Sequence, residues 1–345
     1  MISEQLKGVL LKENDPFTDI IGQDGAKRAV KSALLTSRHV VIVGPPGIGK
    51  TTLAKNIASL LQDIEVIEGC IYHCTIQNKV CPSCRQNENQ KTIRMEGKER
   101  FIRVQGSPDL TVEDLLGDID PIKALKFGPF SLEAFTPGKI FKANNGVLFF
   151  DELNRCPEKL QNAMLQVLEE RKATIGSYDL DFDVDFIFIA TMNPEDSSTE
   201  KLSDVLLDRF DVVYMDYPED QETEKKIVVK RGRKIADIGD ELLSLMVFFV
   251  RLLRQNENLE KKPSVRASIG LYERSQSNAL LRGRKKVSFE DLKEVLVSVL
   301  SHRIRLKPSV RYMQSVENFL SEQFEKNLEA KKKNLGEEIQ SGDYR

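Results

Sequence analysis

The residues best placed to do chemistry form one run: Gly44, Pro45, Pro46, Gly47, Ile48, Gly49, Lys50 and Thr51, with Thr52 directly after. This is the spacing of a phosphate-binding loop. Its glycines let backbone N–H groups wrap the β- and γ-phosphates of a nucleotide, which also meet the N-terminus of the following helix. Lys50 neutralises phosphate charge and the Thr51 hydroxyl ligates Mg²⁺. A Gly-rich turn can precede a helix by chance. Here an apolar run, residues 39–43, leads in and a helical pattern, residues 51–61, leads out. That is the context the motif requires.

A second apolar run, residues 147–150, ends in Asp151 and Glu152. In an open α/β sheet, ligands gather at the carboxyl ends of the strands. Asp151 is there to hold the Mg²⁺ shell, and Glu152 to polarise the water attacking the γ-phosphate. Paired acids also occur in ordinary surface turns; the phosphate loop favours the catalytic reading. A third run, residues 186–190, leads into Thr191, Met192, Asn193 and Pro194. Asn193 could orient the lytic water, although Asn-Pro standing alone is a turn signal.

Cys70, Cys74, Cys81 and Cys84 are packed into a short polar stretch after the loop helix, and Cys156 stands apart. Two close pairs can wrap one tetrahedral Zn²⁺. An Fe–S cluster fits the ligand type, and free thiols or a redox-reversible disulfide are the alternatives. Structural zinc is favoured because an insertion of this size has little core of its own. Cys156 is expected to do nothing but pack.

These groups need a scaffold. The three apolar runs, with a weaker fourth at residues 101–104, are short and rich in Val, Ile and Phe, as buried parallel strands are. Helical patterns lie between them, including residues 159–170 with Leu160, Met164, Leu165 and Leu168 on one face. The expected fold class is therefore α/β, a doubly wound parallel sheet over residues 1–218. Past Pro218 the strand signals vanish. Helical stretches at 220–235, 240–254, 265–281 and 288–303 imply a small all-α domain over 219–321, with Ser288 and Asp291 as a capping box. A charged tail, residues 322–345, follows. At 345 residues the chain has room for both domains.

Formal net charge is −2, so nothing global demands a nucleic-acid or membrane partner. The acids of 179–224 and the bases of 225–311 read as solvated faces. No apolar stretch approaches the roughly 18 residues that span a bilayer, and no secretory signal opens the chain. Four clustered cysteines are no secreted disulfide framework. The expected compartment is the cytoplasm.

Taken with Leu206, Leu207, Asp208, Arg209, Phe210 and Asp211, the phosphate loop, the Asp151–Glu152 strand and the Asn193–Pro194 strand resemble AAA+ ATPases. The resemblance makes Asn193 the sensor-1 residue and Arg209 the arginine finger, which enters a neighbour's site in a ring, expected to be a hexamer. A helix-surface ion pair with Asp208 or a nearby acid is the plainer role for Arg209. Residues 17–23, with Ile21 and Gly22, are similar to the segment near adenine. Residues 64–70, 116–121, 123–125 and 134–138 resemble the magnesium-chelatase I-subunit, implying a helix-2 insert at about 115–142 after a Cys-rich insertion at about 68–98. Residues 172–184 match a pre-sensor hairpin, and Pro263 to Arg266 the sensor-2 position, making Arg266 a phosphate contact.

Such I-subunits are ATP-driven rings that act on an AAA+ subunit with an integrin-like domain and on a tetrapyrrole-binding subunit. The same branch includes MoxR-type ATPases, which remodel partner proteins with an integrin-like-domain partner or adaptor. An MCM-type nucleic-acid motor is the reading from another class. Asp179, Asp181 and Asp183 on the hairpin speak against it, since acids repel phosphates. A non-hydrolysing scaffold would need a broken site, and Lys50, Asp151, Glu152, Asn193 and Arg209 are all present.

Overall fold

In the computed structural model, residues 2–128, 131–175, 180–194 and 202–340 are described. They fall into two compact units: Met1–Pro45 with Gly49–Asp216, and Tyr217–Arg345 with the short segment Pro46–Ile48.

The first unit is built on five parallel strands: β1 (His39–Val43), β2 (Phe101–Gln105), β3 (Gly146–Asp151), β4 (Phe186–Met192) and β5 (Phe210–Tyr214). Their order in the sheet is β5-β1-β4-β3-β2. The central strands are unbroken apolar runs because both faces are covered: Val40 to Ile42, Val147 to Phe150 and Phe188 to Ala190 have no exposed surface. Val43 pairs with Met192, Ala190 with Phe150, and Gln105 with Asp151, so the strand ends finish at one edge of the sheet. Four strands were legible as apolar runs; β5 was not. Phe210 and Val213 are buried while Asp211, Val212 and Tyr214 are not, so this edge strand shows neither an apolar run nor a strict alternation.

Helices α1 (Ile2–Leu10), α2 (Asp24–Leu35), α3 (Lys50–Ser59) and α4 (Glu158–Glu170) pack on this sheet and its margins. α3 buries Leu53, Ala54, Ile57 and Ala58, of which the two alanines allow a close approach to the strands. α4 buries Leu160, Met164, Val167 and Leu168, with Leu165 only half-buried. Three antiparallel hairpins decorate the unit: Ile64–Ile67 with Thr92–Met95, Gly117–Ile119 with Phe135–Pro137, and Lys172–Ile175 with Leu180–Asp183. The tip of the last, with Gly176, Tyr178 and Asp179, and the side chain of Asp181 lie outside the described residues.

The second unit carries α5 (Gln221–Arg231), α6 (Asp240–Gln255), α7 (Val265–Leu281), α8 (Phe289–Leu300) and α9 (Val316–Gln340). The capping box forms at α8: Ser288 Oγ accepts from the third helical N–H and the Asp291 carboxylate from the Ser288 N–H at 2.8 Å. Two features add to the helical reading. The unit is not purely helical, since Leu259–Lys261 pairs antiparallel with Arg305–Leu306. Leu259 and Leu306 are buried by that pairing, and a strand so short carries no periodic signal. The charged stretch from residue 322 continues a helix that begins earlier. α9 starts at Val316 and sends Phe319, Leu320 and Phe324 into the core, where Phe324 stacks on Phe289 with ring centroids 5.8 Å apart. Among the described residues, no helix is long and apolar enough to cross a membrane.

Candidate nucleotide site at the strand ends

Where β1 ends, Gly44 donates its N–H to the Met192 carbonyl at 3.2 Å, tying the loop to the end of β4. Gly47 and Gly49 have φ of 77° and 104°, a region that penalises any Cβ. A Cβ on Gly47 would also come within 2.9 Å of Ser264 Oγ and 3.2 Å of Arg266 Cγ, at the start of α7. One on Gly49 would meet Ile20 Cδ1 at 3.2 Å. Lys50 Nζ donates to the carbonyls of Gly44 and of Pro45, the latter at 2.9 Å. Gly49 is the N-cap of α3 and offers no capping side chain. Thr51 and Thr52 sit half-buried in that first turn.

The segment bearing Ile21 and Gly22 is pinned against α3. Asn56 Nδ2 donates to Asp19 Oδ2 at 3.0 Å and Asn56 Oδ1 accepts from the Asp19 N–H at 3.3 Å. Gly22 has φ of 68°, and Gln23 donates its amide to the Asp216 carbonyl at 2.6 Å.

At the end of β3 the two acids are held in a closed circuit of hydrogen bonds. The Thr191 hydroxyl donates to Asp151 Oδ1 at 2.7 Å and accepts from the Glu152 N–H at 2.9 Å. Arg103 Nη2 contacts Asp151 Oδ2 at 2.5 Å and donates to Gln105 Oε1 at 3.1 Å. Gln105 Nε2 in turn donates to Glu152 Oε2 at 3.1 Å, and Arg155 pairs with the same oxygen at 3.2 Å. Glu152 has φ of 58°, a left-handed conformation that L side chains adopt only when surroundings impose it. Part of the imposition is Gly106, which donates its N–H to the Asp151 carbonyl at 2.7 Å. A Cβ there would come within 2.0 Å of the Glu152 carbonyl.

Arg103, Gln105, Gly106, Arg155 and Thr191 were not singled out from the sequence. The available signal was the alternation in β2, where polar Arg103 and Gln105 interrupt apolar positions at period two.

Asn193 directly follows β4, its carbonyl accepting from buried Asn154 Nδ2 at 3.4 Å. The strand ends thus bring together the loop, Asp151, Glu152 and Asn193. Arg209 is engaged elsewhere, with Glu169 on α4 at 3.0 Å and Asp208 at 3.7 Å, the plainer ion pair considered for it. Arg266 stands by Gly47, within the second unit. Cys70, Cys74, Cys81 and Cys84 gather away from this edge, their sulfurs all within 4.8 Å of one another. Cys156 is fully buried in the core beneath the site.

Three sequence profiles match the chain. That of the ATPase family associated with various cellular activities (AAA) spans residues 73–212, that of the AAA lid domain 252–322, and that of magnesium chelatase subunit ChlI 16–95. The chain has the fold of AAA+ proteins, with matches to AAA ATPase and AAA lid profiles. It is 26% identical over 332 residues to a magnesium-chelatase subunit ChlI homolog of Methanocaldococcus jannaschii, covering 85% of this chain and 86% of that one. It is 27% identical to the chaperone MoxR1 of Mycobacterium tuberculosis, covering 83% and 73%. A solved RuvB mutant of Thermotoga maritima shares the fold, with a TM-score of 0.50 at 19% identity over 84% of this chain and 73% of that one. The match to the AAA ATPase profile implies ATPase activity with ATP and Mg²⁺, in a protein related to magnesium-chelatase I subunits and MoxR chaperones.

Proposed function

We propose that the chain is the ATP-hydrolysing subunit of a hexameric ring, a motor of the chelatase I-subunit type that remodels a partner protein. The observation that supports this most is the convergence at one sheet edge of the phosphate loop, both acids and Asn193. The cradle fits a triphosphate: Gly47 and Gly49 supply the positive φ that a phosphate-wrapping loop needs, and Lys50 lies over the loop, donating to its carbonyls. Gly44 through Thr52 would hold the phosphates, Ile21 and Gly22 the adenine, and Thr51 with Asp151 the Mg²⁺, which neutralises developing phosphate charge. Glu152 takes the role of polarising the attacking water. Gln105, Arg155 and Thr191 hold its carboxylate and its backbone. Asn193 would orient the same water, and Arg266 remains the candidate phosphate contact.

Arg209 would act in trans, on a neighbouring subunit's nucleotide, after leaving Glu169. The partner would be an AAA+ subunit or adaptor with an integrin-like domain, together with a tetrapyrrole-binding subunit if the client is a chelatase. The relationship to MoxR1 supports a second reading, a chaperone-like ATPase with another client.

Lys50→Ala should abolish ATP binding, whereas Glu152→Gln should bind ATP and lose turnover, since only the first removes ground-state phosphate charge. Arg209→Ala should bind ATP normally and hydrolyse it slower by about three orders of magnitude. Mixing it with Glu152→Gln subunits should restore activity across the interface. Equal loss of affinity in the Lys50 and Glu152 variants would refute the roles; no rescue in demonstrably mixed rings would refute the trans finger.

A further inference from the structure

The cysteine cluster lies outside the nucleotide site and has its own geometry. Cys70, Cys74 and the pair Cys81 and Cys84 come from two turns of one insertion. The first follows Gly69, whose φ of 75° bends the chain, and is closed by the Cys70 N–H on the Ile67 carbonyl at 3.1 Å. The second opens the short helix Pro82–Gln86, with Cys81 as its N-cap. The Cys81 N–H donates to Cys74 Sγ at 3.4 Å, a bond to sulfur that a thiolate accepts more readily than a thiol.

The distances separate the chemistries left open by the spacing. A disulfide needs its sulfurs about 2.05 Å apart, and all four cysteines are free. Cys70 Sγ and Cys81 Sγ are 3.8 Å apart. A tetrahedral ion with thiolates at about 2.3 Å has an edge of about 3.8 Å, from that bond length and the tetrahedral angle. The whole set lies within 4.8 Å. An Fe–S cluster of two or more irons places its inorganic core between thiolates on different irons and needs a wider set. One ion fits the four sulfurs.

Burial points the same way. Cys74, Cys81 and Cys84 are almost fully buried, yet the core they join contains only Ile67, Val80 and the cysteines themselves, with Tyr72 at its margin. A module this small is not held by apolar contacts, and a structural metal is the usual remedy. We propose that Cys70, Cys74, Cys81 and Cys84 bind one Zn²⁺ as a closed structural site that clips the insertion to the base of β3. The attachment is specific. Asn144 Nδ2 donates to the Tyr72 carbonyl at 2.9 Å and Asn145 Nδ2 to the His73 carbonyl at 3.1 Å, both from residues just before β3 begins. Tyr72 packs edge-on against Phe141 at 5.4 Å. Asp151 and Glu152 stand at the other end of the same strand, so the ion orders the insertion without touching the nucleotide.

The test starts from the native chain purified without added metal. Element analysis should find one zinc per chain, with four thiols protected from a thiol reagent until a chelator is added. Replacing zinc with Co²⁺ should give the absorption of a tetrahedral four-sulfur site. Metal loss, or the double variant Cys81→Ser with Cys84→Ser, should speed hydrogen exchange across residues 64–95 while ATP affinity stays within a few-fold. Zinc well below one equivalent with four freely reactive thiols overturns the site. Iron in its place, with visible absorbance, overturns the metal. ATP binding lost in step with the zinc overturns the structural role. The proposal is independent of the motor reading, since none of its primary readouts is hydrolysis.

Discussion

Thr191→Val is the substitution that most directly probes how the two acids are held. Valine has the shape of threonine without the hydroxyl, and Thr191 is 1% exposed, so the fold has little reason to rearrange around it. Two bonds disappear: the 2.7 Å donation to Asp151 and the 2.9 Å acceptance from the Glu152 N–H. The first ends on a carboxylate and is worth about 1.5–3 kcal/mol; the second leaves an amide unsatisfied at about 1–3 kcal/mol. Together they should lower stability by about 3 kcal/mol. The consequence for turnover comes through the backbone of Glu152, which keeps its φ of 58° partly because the Thr191 oxygen holds its amide. If about 2 kcal/mol of positioning is lost in the transition state, kcat falls about thirty-fold. The phosphate loop is untouched, so ATP affinity should change little. Steady-state hydrolysis, fluorescent-nucleotide binding and thermal melting read these quantities separately. Thr191→Ser keeps the hydroxyl and should recover most of the activity. A folded valine variant with unchanged kcat, or a serine variant as slow as the valine one, would refute the reasoning.

Two further perturbations test the scaffold. In the second unit, Glu224 is fully buried and grips Arg254 through two 2.6 Å contacts, with Ser268 donating to it at 2.6 Å. Glu224→Gln strands the Arg254 charge in the interior and should cost about 3–5 kcal/mol in denaturant unfolding; a loss under about 1 kcal/mol would mean that water reaches the pair. In the first unit, burial, aided by the Arg171 charge, lowers the His39 pKa from 6.5 to about 4, against a hydrogen bond to the Leu168 carbonyl. His39 Nδ1 also accepts from the Phe188 N–H at 3.3 Å, which requires the neutral ring there. The unfolded chain then binds more protons than the folded one between those values, so this contribution is present above about 6.5 and is lost as pH falls toward about 4. The loss is at most about 3 kcal/mol. His39→Gln should flatten the pH dependence of unfolding by up to that amount across this window, and an unchanged slope would count against the buried neutral imidazole.

What could be read from the sequence divides along physical lines. Buried parallel strands are continuous apolar runs, and a phosphate loop has a fixed spacing set by the backbone it must form, so β1, β3 and β4 and the loop between β1 and α3 were legible from local sequence alone. β5 is an edge strand with only Phe210 and Val213 buried, and its Asp211 breaks the run that would have revealed it. The Leu259–Lys261 pairing with Arg305–Leu306 depends on residues more than forty positions apart, which no local window sees. The same limit hid the support of the acids. Arg103 and Gln105 are unremarkable polar residues of a short strand until Gln105 pairs in register with Asp151, which puts both within reach of the two carboxylates. Asp151 and Glu152 announce themselves by chemical type, whereas the residues that hold them in place announce themselves only by register. A candidate catalytic carboxylate can therefore be picked out from sequence, but the geometry that orients it is a property of the sheet.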